Sequence, residues 1–209
     1  MVQEVRKKMN KGRLIVFSAP SGCGKGTMLA EILKDESFRC SISATTRKPR
    51  EGEADGVNYY FITNEEFEQK LSEDAFLEHA GYCYHYYGTL KSEVDPYLEK
   101  GINVILEIEV QGAMKVRKLR PDALFVFIAP PSVNELRRRL HKRGTESEEV
   151  IEQRVAAAHE ELTYADKYDY VIVNDALEDA VSDFFAVVRA EQLTVKAQSE
   201  FIDEVIKNA

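Results

Sequence analysis

The chain has 209 residues, of which 44% are hydrophobic and 31% charged, a composition typical of a globular domain with a sizeable core. A formal net charge of −8 excludes a global positive field, so we expect neither nucleic acid nor an anionic membrane as a partner. Three scattered cysteines and the absence of a long apolar run argue against a disulfide framework, a zinc site, a signal peptide and a membrane span, and we expect a cytoplasmic location.

Apolar runs rich in β-branched residues alternate along the chain with segments of helical periodicity. The predicted strands are 13–18, 102–109, 123–130 and 168–175. The predicted helices are 25–35, 64–73, 91–100, 111–119, 132–142, 147–166 and 176–192. This alternation predicts an α/β fold with a doubly wound, mainly parallel sheet.

Three segments depart from the alternation. Residues 40–90 are rich in Thr, Tyr and Gly, with short alternating runs such as "NYYFI" and "YCYHYYG", which predicts a small β-rich lobe inserted into the core. The segment 132–166 is helical and contains a cluster of basic residues, and 193–209 is predicted to form a peripheral C-terminal helix.

The stretch "SAPSGCGKGT" (18–27) resembles a phosphate-binding loop with two departures from the usual pattern. Ala19 replaces the first glycine, and Gly26 stands where a hydroxyl is expected, so the hydroxyl comes one residue later, at Thr27. A strand precedes the loop and a helix follows it, which is the context that phosphate binding needs. The alternative is a surface turn that happens to contain glycine and lysine. Cys23, beside Lys25 and a helix start, is expected to have thiolate character.

The motif "GKGT" is similar to the loop of nucleoside monophosphate kinases, and longer motifs resemble one group of them, the guanylate kinase family. These motifs are, in chain order, "SATTRKPREGEADGVNYYF", "FLEHAGYCYHYYGT", "LEIEVQGA", "RRRLHKRGTESEEVIEQRVAAA" and "YDYVIVND". The resemblance covers residues 12–192 at the family's spacing and is far more specific than one loop.

The resemblance implies a P-loop nucleoside monophosphate kinase fold in three parts. The core would comprise about 12–42, 91–131 and 161–192, the GMP-binding lobe about 43–90, and a helical lid about 132–160. It also implies the reaction, in which the γ-phosphoryl group of ATP is transferred to GMP with Mg²⁺, giving ADP and GDP in purine nucleotide metabolism and GMP recycling. The sequence is compatible with a homo-oligomer.

The resemblance also implies sites for both nucleotides, residue by residue. The ATP-binding residues would be Ala19, Pro20, Ser21, Gly22, Cys23, Gly24, Lys25, Gly26, Thr27 and Asn174, the last near the adenine. The GMP-binding residues would be Ser43, Arg47, Arg50, Tyr59, Glu78, Tyr87, Thr89 and Glu109. The catalytic residues would be Lys25, Arg139, Arg143 and Arg154, and Mg²⁺ would be held by Thr27 and Glu107, partly through water.

The chemistry of the acceptor residues agrees with these roles. Arginine suits bidentate capture of a phosphate, so Arg47 and Arg50, with Tyr59 and Tyr87, would hold the phosphate of GMP. A carboxylate can accept both N1–H and the exocyclic NH₂ of guanine, while a hydroxyl of Ser43 or Thr89 donates to O6. Without the resemblance, the alternatives are a solvated basic loop, core tyrosines and a surface carboxylate.

Glu107 and Glu109 are predicted to end a buried strand and to share one face at the ligand crevice. The family often has Asp at both positions, and Glu107 would orient the Mg²⁺ shell while Glu109 faces the acceptor. The lid arginines would exclude water from the transferring group, whereas Arg137 and Arg138 are expected to point outward. For the whole basic cluster the alternative is a solvated helix end.

Two rival functions come from other classes of protein. The first is a catalytically inactive guanylate-kinase-like interaction module, which would lack an intact phosphate loop, whereas this chain has Lys25 and the lid arginines. The second is a nucleic-acid binder that uses the basic cluster at 137–143, and the acidic composition argues against it.

Overall fold

The computed structural model describes residues 11–82, 84–144 and 146–207. These residues fall into two compact units. The first unit comprises residue 11, 18–35 and 126–207, and the second comprises 12–17 and 36–125.

Strands and helices succeed one another along the described residues. In chain order, the strands are β1 (Leu14–Ser18), β2 (Phe38–Cys40), β3 (Ser43–Thr45), β4 (Tyr60–Phe61), β5 (Phe76–Tyr82), β6 (His85–Leu90), β7 (Asn103–Glu107), β8 (Leu124–Ala129) and β9 (Tyr170–Val173). The helices are α1 (Lys25–Ile32), α2 (Asn64–Ser72), α3 (Asp95–Glu99), α4 (Val110–Leu119), α5 (Val133–Arg143), α6 (Glu148–Leu162), α7 (Leu177–Gln192) and α8 (Ser199–Lys207), with 3₁₀ turns at Lys91–Glu93 and Ala165–Lys167. Within this described part, no helix is both long and apolar enough to cross a membrane.

The larger sheet has five strands in the order β2-β7-β1-β8-β9. β7 pairs in parallel with both β1 and β2, and β8 pairs in parallel with β9. Every residue of β1 and β8 is buried, and β7 is buried up to its last residue, Glu107, as expected for strands covered on both faces. The predicted α/β class with a parallel sheet is therefore confirmed.

The smaller sheet lies in the second unit and has four strands in the order β4-β3-β6-β5. β6 pairs antiparallel with β3 and β5, and β3 pairs in parallel with β4. Its own small core consists of Ala44, Phe67, Phe76 and Leu90, and the Phe67 and Phe76 rings stack with centroids 4.5 Å apart. The run "YCYHYYG" spans the end of β5 and the start of β6, so these two strands form a hairpin.

Side-chain caps define the helix starts that the sequence predicts. Thr63 and Glu66 form a reciprocal capping box at α2. The Ser132 hydroxyl accepts the Glu135 N–H at 3.1 Å at the start of α5, and Gly144 ends that helix with φ 64°.

Several elements differ from the predictions, most of them by being shorter. The predicted helix 91–100 is a 3₁₀ turn followed by α3, because Pro96 favours the first turn of a new helix. The predicted strands 102–109 and 168–175 are shorter at both ends. β2 was not predicted, since three residues carry no readable period.

Candidate active site

Two glycines of the loop have left-handed backbone conformations. Gly22 has φ 92° and Gly24 has φ 80°, a region that L side chains rarely adopt. Both positions are also tightly surrounded. A Cβ added at Gly22 would lie 2.8 Å from Leu136 Cδ1, and a Cβ added at Gly24 would lie 2.7 Å from Asn174 Nδ2. Glycine is therefore required at both positions for backbone conformation and for space.

The loop leads into α1, whose first turn carries Lys25, Gly26 and Thr27. Gly24 is the N-cap, no side chain caps this end, and no acidic residue lies in the first turn. The positive end of the helix dipole therefore favours binding of an anion at this helix N-terminus. Gly26 and Thr27 are exposed, and a Cβ at Gly26 would meet no atom within 4 Å. This geometry fits a bound phosphate group.

The remaining loop residues support the turn. Ala19 packs against the buried cluster that contains Cys23, while Ser21 is exposed. Pro20 is buried, and its carbonyl accepts the Cys23 N–H at 3.2 Å.

Asn174 is buried and connects the loop with two other elements. Its Nδ2 donates to the Cys23 carbonyl at 2.7 Å, and its N–H donates to the Ala129 carbonyl at 2.9 Å. Its own carbonyl accepts from Arg139 Nη1 at 2.8 Å. The side chain therefore holds the loop in place, and its contact with adenine stays a prediction.

Cys23 is only 1% exposed and lies in an apolar cluster. The other buried members of this cluster are Leu136, Leu140, Ile151, Val155 and Ala158. Burial raises the pKa of the Cys23 thiol to about 12, and the positive charge of Arg139 offsets this only in part. The expected thiolate character is therefore wrong, because the sequence shows the neighbouring Lys25 but not the apolar cover.

A maleimide is expected to leave Cys23 unmodified in the folded chain at about pH 7.5, with or without ATP. The thiol is buried, and its raised pKa keeps the thiolate fraction small until the pH approaches about 12. Peptide mass spectrometry after a timed pulse measures this, with the partly buried Cys40 as an internal comparison and a denatured sample as the positive control. Labelling of Cys23 as fast as that of an exposed thiol would contradict the prediction.

Two of the three predicted lid arginines, Arg139 and Arg154, form ion pairs within the first unit. Arg139 donates through Nε to Glu135 Oε1 at 2.7 Å, in addition to its bond to the Asn174 carbonyl. Arg154 Nη1 lies 2.8 Å from Glu146 Oε1. Arg143 ends α5, and its side chain lies outside the described part of the structure.

Their neighbours Arg137 and Arg138 have different roles. Arg138 is exposed, as expected, and pairs with Glu135 through bonds of 2.6 and 2.7 Å. Arg137 instead donates to both oxygens of Glu152, at 2.8 and 3.1 Å, and so ties α5 to α6. Hydrogen bonds from Arg138 and then Arg139 lower the pKa of Glu135 to about 2, so its carboxylate is ionised at neutral pH.

In the second unit, a cavity of about 270 Å³ is lined by the smaller sheet, the end of β7 and the start of α4. The predicted site residues that line it are Ser43, Tyr59, Glu78, Tyr87, Glu107 and Glu109. A cavity of this kind, with several converging polar groups, suits a small polar ligand.

Glu78 is the buried carboxylate of this cavity, 7% exposed. Its Oε1 accepts the hydroxyl of Thr89 at 2.8 Å and the Thr89 N–H at 3.1 Å. Burial raises the pKa of Glu78 above its usual range, and the Thr89 hydrogen bonds and the charge of Lys115 partly offset this. Thr89 has one hydroxyl proton and gives it to Glu78, so the predicted donation from Thr89 to guanine O6 is wrong for this arrangement. Ser43 remains the candidate donor.

Arg47 lies beside the two cavity tyrosines. Its guanidinium is 5.4 Å from the centre of the Tyr59 ring. Side-chain hydrogen bonds, first with Glu53 and then with Tyr87, raise the pKa of Arg47. Its main partner is Glu53, whose two oxygens it binds at 2.9 Å each. Glu53 also accepts the Arg50 N–H at 2.7 Å, and these bonds, first those from Arg47, lower its pKa to about 2.

Glu107 and Glu109 do not share a strand. Glu107 is the exposed last residue of β7, whereas Glu109 is exposed as the N-cap of α4.

Among the described residues, no cluster of three or more His, Cys, Asp or Glu could hold a metal ion. Mg²⁺ usually takes one or two protein oxygens and completes its shell with water and substrate phosphates, so the exposed Thr27 hydroxyl and Glu107 carboxylate are donors of the right chemistry.

The family model described as guanylate kinase matches residues 11–191. The chain belongs to the guanylate kinase family. A guanylate kinase of Clostridium perfringens (strain 13 / Type A) is 50% identical over 201 residues, covering 96% of this chain and 93% of that protein. One of Caldanaerobacter subterraneus subsp. tengcongensis is 52% identical over 186 residues, covering 88% of this chain and 90% of that protein. The crystal structure of guanylate kinase from Anaplasma phagocytophilum is similar with a TM-score of 0.70 at 33% identity, covering 88% of each chain.

Membership of the guanylate kinase family makes the chain an enzyme, a nucleotide-binding kinase.

Sequence reasoning missed the carboxylates that hold the arginines, namely Glu53, Glu135 and Glu146. For Glu135 a signal was available, because it lies three and four residues before Arg138 and Arg139 on one helix. Gln111 and Gly112 also line the cavity that contains Glu78, and the sequence gives no indication of this beyond the family motif.

Proposed function

We propose that this member of the guanylate kinase family phosphorylates GMP to GDP with ATP, in purine nucleotide metabolism, through the residues described above. The observation that carries the residue assignments is the buried Glu78 carboxylate in a cavity that also contains the phenols of Tyr59 and Tyr87. In this cavity, the Glu78 carboxylate can accept hydrogen bonds from the base of GMP, and the two phenols can donate hydrogen bonds to its phosphate.

Guanine recognition rests on Glu78 and its neighbours. An ionised Glu78 accepts N1–H and the exocyclic NH₂, and Ser43 donates to O6. Thr89, whose proton goes to Glu78, has an acceptor oxygen left for the exocyclic NH₂. Adenine would present a bare N1 acceptor to the carboxylate and leave a buried polar group unpaired.

The phosphate of GMP is held by Arg47, Arg50, Tyr59 and Tyr87. Arg47 is already oriented by its two bonds to Glu53, which reduces the side-chain entropy lost on binding. GMP needs no general base, because the second pKa of a phosphate monoester is about 6 and the attacking oxygen is largely ionised at neutral pH. Glu109 faces the acceptor from the start of α4.

The donor ATP is held by the loop Ala19–Thr27, with Lys25 on the outer phosphates. Thr27 and Glu107 are the residues that would bind Mg²⁺, partly through water, and the ion would supply neutralisation of phosphate charge. The chain's own groups orient the γ-phosphoryl and stabilise its charge, so catalysis consists of positioning and electrostatics. Arg139, Arg143 and Arg154 contribute positive charge and exclude water, and Asn174 holds the loop near the adenine.

The proposed arrangement has a core at about 12–42, 91–131 and 161–192, a GMP-binding lobe at about 43–90 and a lid at about 132–160. The location of the smaller sheet and α2 within residues 43–90 supports the lobe boundaries. A cytoplasmic location agrees with the supply of both nucleotides. Nucleic acid and membranes are not proposed as partners.

To test the choice of acceptor, ADP release from ATP and Mg²⁺ is measured with GMP, AMP, UMP and CMP in separate reactions. Release is expected with GMP, and the kcat/KM for AMP is expected to be lower by on the order of 10⁴-fold, because the buried polar groups would be mismatched. Reactions without an acceptor measure ATP hydrolysis and are the control. A chain that released no ADP with any acceptor would behave as an interaction module and would overturn the proposal.

A further inference from the structure

The strand that carries Glu78 lies at the edge of the smaller sheet. Among the described residues, β5 pairs with β6 on one side and with no strand on the other. The register shifts between Phe76 and Glu78, so that Leu77 forms a bulge directly before the carboxylate. A bulge re-aims the next side chain and weakens the local pairing. The position of Glu78 therefore depends on what supports β5 from its unpaired side.

That support comes from α4, which packs against β5. Lys115 Nζ donates to the His79 carbonyl at 2.9 Å, the residue immediately after Glu78. One turn earlier, a Cβ at Gly112 would lie 3.8 Å from Glu78 Oε2, so the helix passes close to the carboxylate itself. Lys115 thus fixes the backbone next to Glu78.

Glu78 also forms part of the wall of a second cavity, of about 480 Å³, which Lys115, Lys118 and His79 line with it. Lys115 and Glu78 are therefore both wall residues of this second cavity. The positive charge of Lys115 lowers the pKa of Glu78, against the larger effect of burial, and His79 acts in the same direction. The other titratable residues that line a cavity with Glu78 are Asp74 and Lys118 in the second cavity and Tyr59, Tyr87, Glu107 and Glu109 in the acceptor cavity.

We propose that Lys115 is a positioning residue for guanine recognition, which holds the bulged end of β5 against α4 next to Glu78. Its positive charge also lowers the pKa of that carboxylate. The inference rests on the proposed function, because Glu78 has to be the group that reads guanine. Lys115 itself needs no contact with either nucleotide. Its effect should therefore appear in the choice of base and in the pH profile, and not in the use of ATP.

The test compares the parent with Lys115→Met, which keeps the aliphatic stem but removes the charge and the donor. kcat/KM is measured for GMP and for inosine monophosphate from about pH 5.5 to about pH 8.5. Both substrates carry the same phosphate, so the ratio of the two values cancels its titration. Guanine presents two donors to Glu78 and hypoxanthine one, so protonation of Glu78 lowers this ratio. Since the Lys115 charge lowers the pKa of Glu78, its loss should move the fall in the ratio to higher pH and reduce the ratio at neutral pH by roughly three- to tenfold.

Lys118→Met is the matched control, because it removes the same charge from the same helix and the same cavity. Lys115→Arg, which retains charge and donor, should restore the parental profile. The KM for ATP and the thermal midpoint should stay at parental values in all three variants, which separates positioning from misfolding. An unchanged ratio and pH profile in Lys115→Met, or an equal change in Lys118→Met, would overturn the inference. A parent chain inactive with GMP would instead overturn the proposed function.

Discussion

Lys25→Met is expected to reduce phosphoryl transfer by on the order of 10³-fold or more, while GMP affinity stays within about twofold of the parent. Lys25 is the first residue of α1, directly after the left-handed Gly24. In the proposed donor site, its ammonium group would contact the outer phosphates of ATP. Methionine fills a similar volume but carries no charge. The variant is therefore expected to lose the stabilisation of negative charge in the transition state.

Two measurements check this prediction, ADP release with saturating GMP and calorimetric titration of GMP. GMP affinity should survive because the described lining of the acceptor cavity comes entirely from the second unit, whereas Lys25 lies in the first. Lys34→Met is the matched control, since Lys34 follows the same helix but is exposed and pairs with Glu31, an interaction of little energetic value. Equal losses of GMP binding and of transfer in Lys25→Met would mean that the two nucleotide sites are wrongly assigned.

Glu78→Gln is expected to cost roughly 2–4 kcal/mol in kcat/KM for GMP and to reduce the discrimination between GMP and inosine monophosphate. The amide oxygen can still accept both bonds from Thr89, so the fold and the side-chain position should persist. The amide NH₂ then replaces the second carboxylate oxygen. A donor would face the N–H groups of guanine, which removes a charge-assisted bond and buries a mismatched group.

The measurement is kcat/KM for both acceptors in parent and variant, with the KM for ATP as a check on the donor site. Glu73→Gln provides the control, because it makes the same chemical change at an exposed residue of the same unit. Should the ratio between the two acceptors remain at the parental value in Glu78→Gln, Glu78 does not read the guanine edge, and Glu109 becomes the next candidate.

The sequence predicts the parts of the fold whose signals are local. β1 and β8 are continuous apolar runs, and the glycines at 22 and 24 mark a turn that needs positive φ. β2 has three residues and is recognisable only from its pairing with β7, a contact made across a long stretch of chain. Long apolar strands are therefore predictable, whereas a short strand depends on a sheet that already exists.

The family motifs predict which residues form the site, but they do not describe the surroundings of those residues. Arg47 and Glu53 meet because the intervening chain turns back, and Glu78 meets Thr89 because two strands pair in register. The error over Cys23 has the same origin, since residues far along the chain bury the thiol and raise its pKa. The charge partners and the pKa of a residue thus depend on tertiary contacts, which the motif does not show even when it identifies the residue.

The cluster around Cys23 limits how the proposed lid can move. Leu136 and Leu140 come from α5, and Ile151 and Val155 come from α6, so both helices share one apolar core with the nucleotide loop. Swinging either helix away from the loop would expose that core, at a cost of about 25 cal/mol for each Å² of apolar surface. The loop and the two helices are therefore expected to travel as one rigid body, with any hinge located outside their shared contacts.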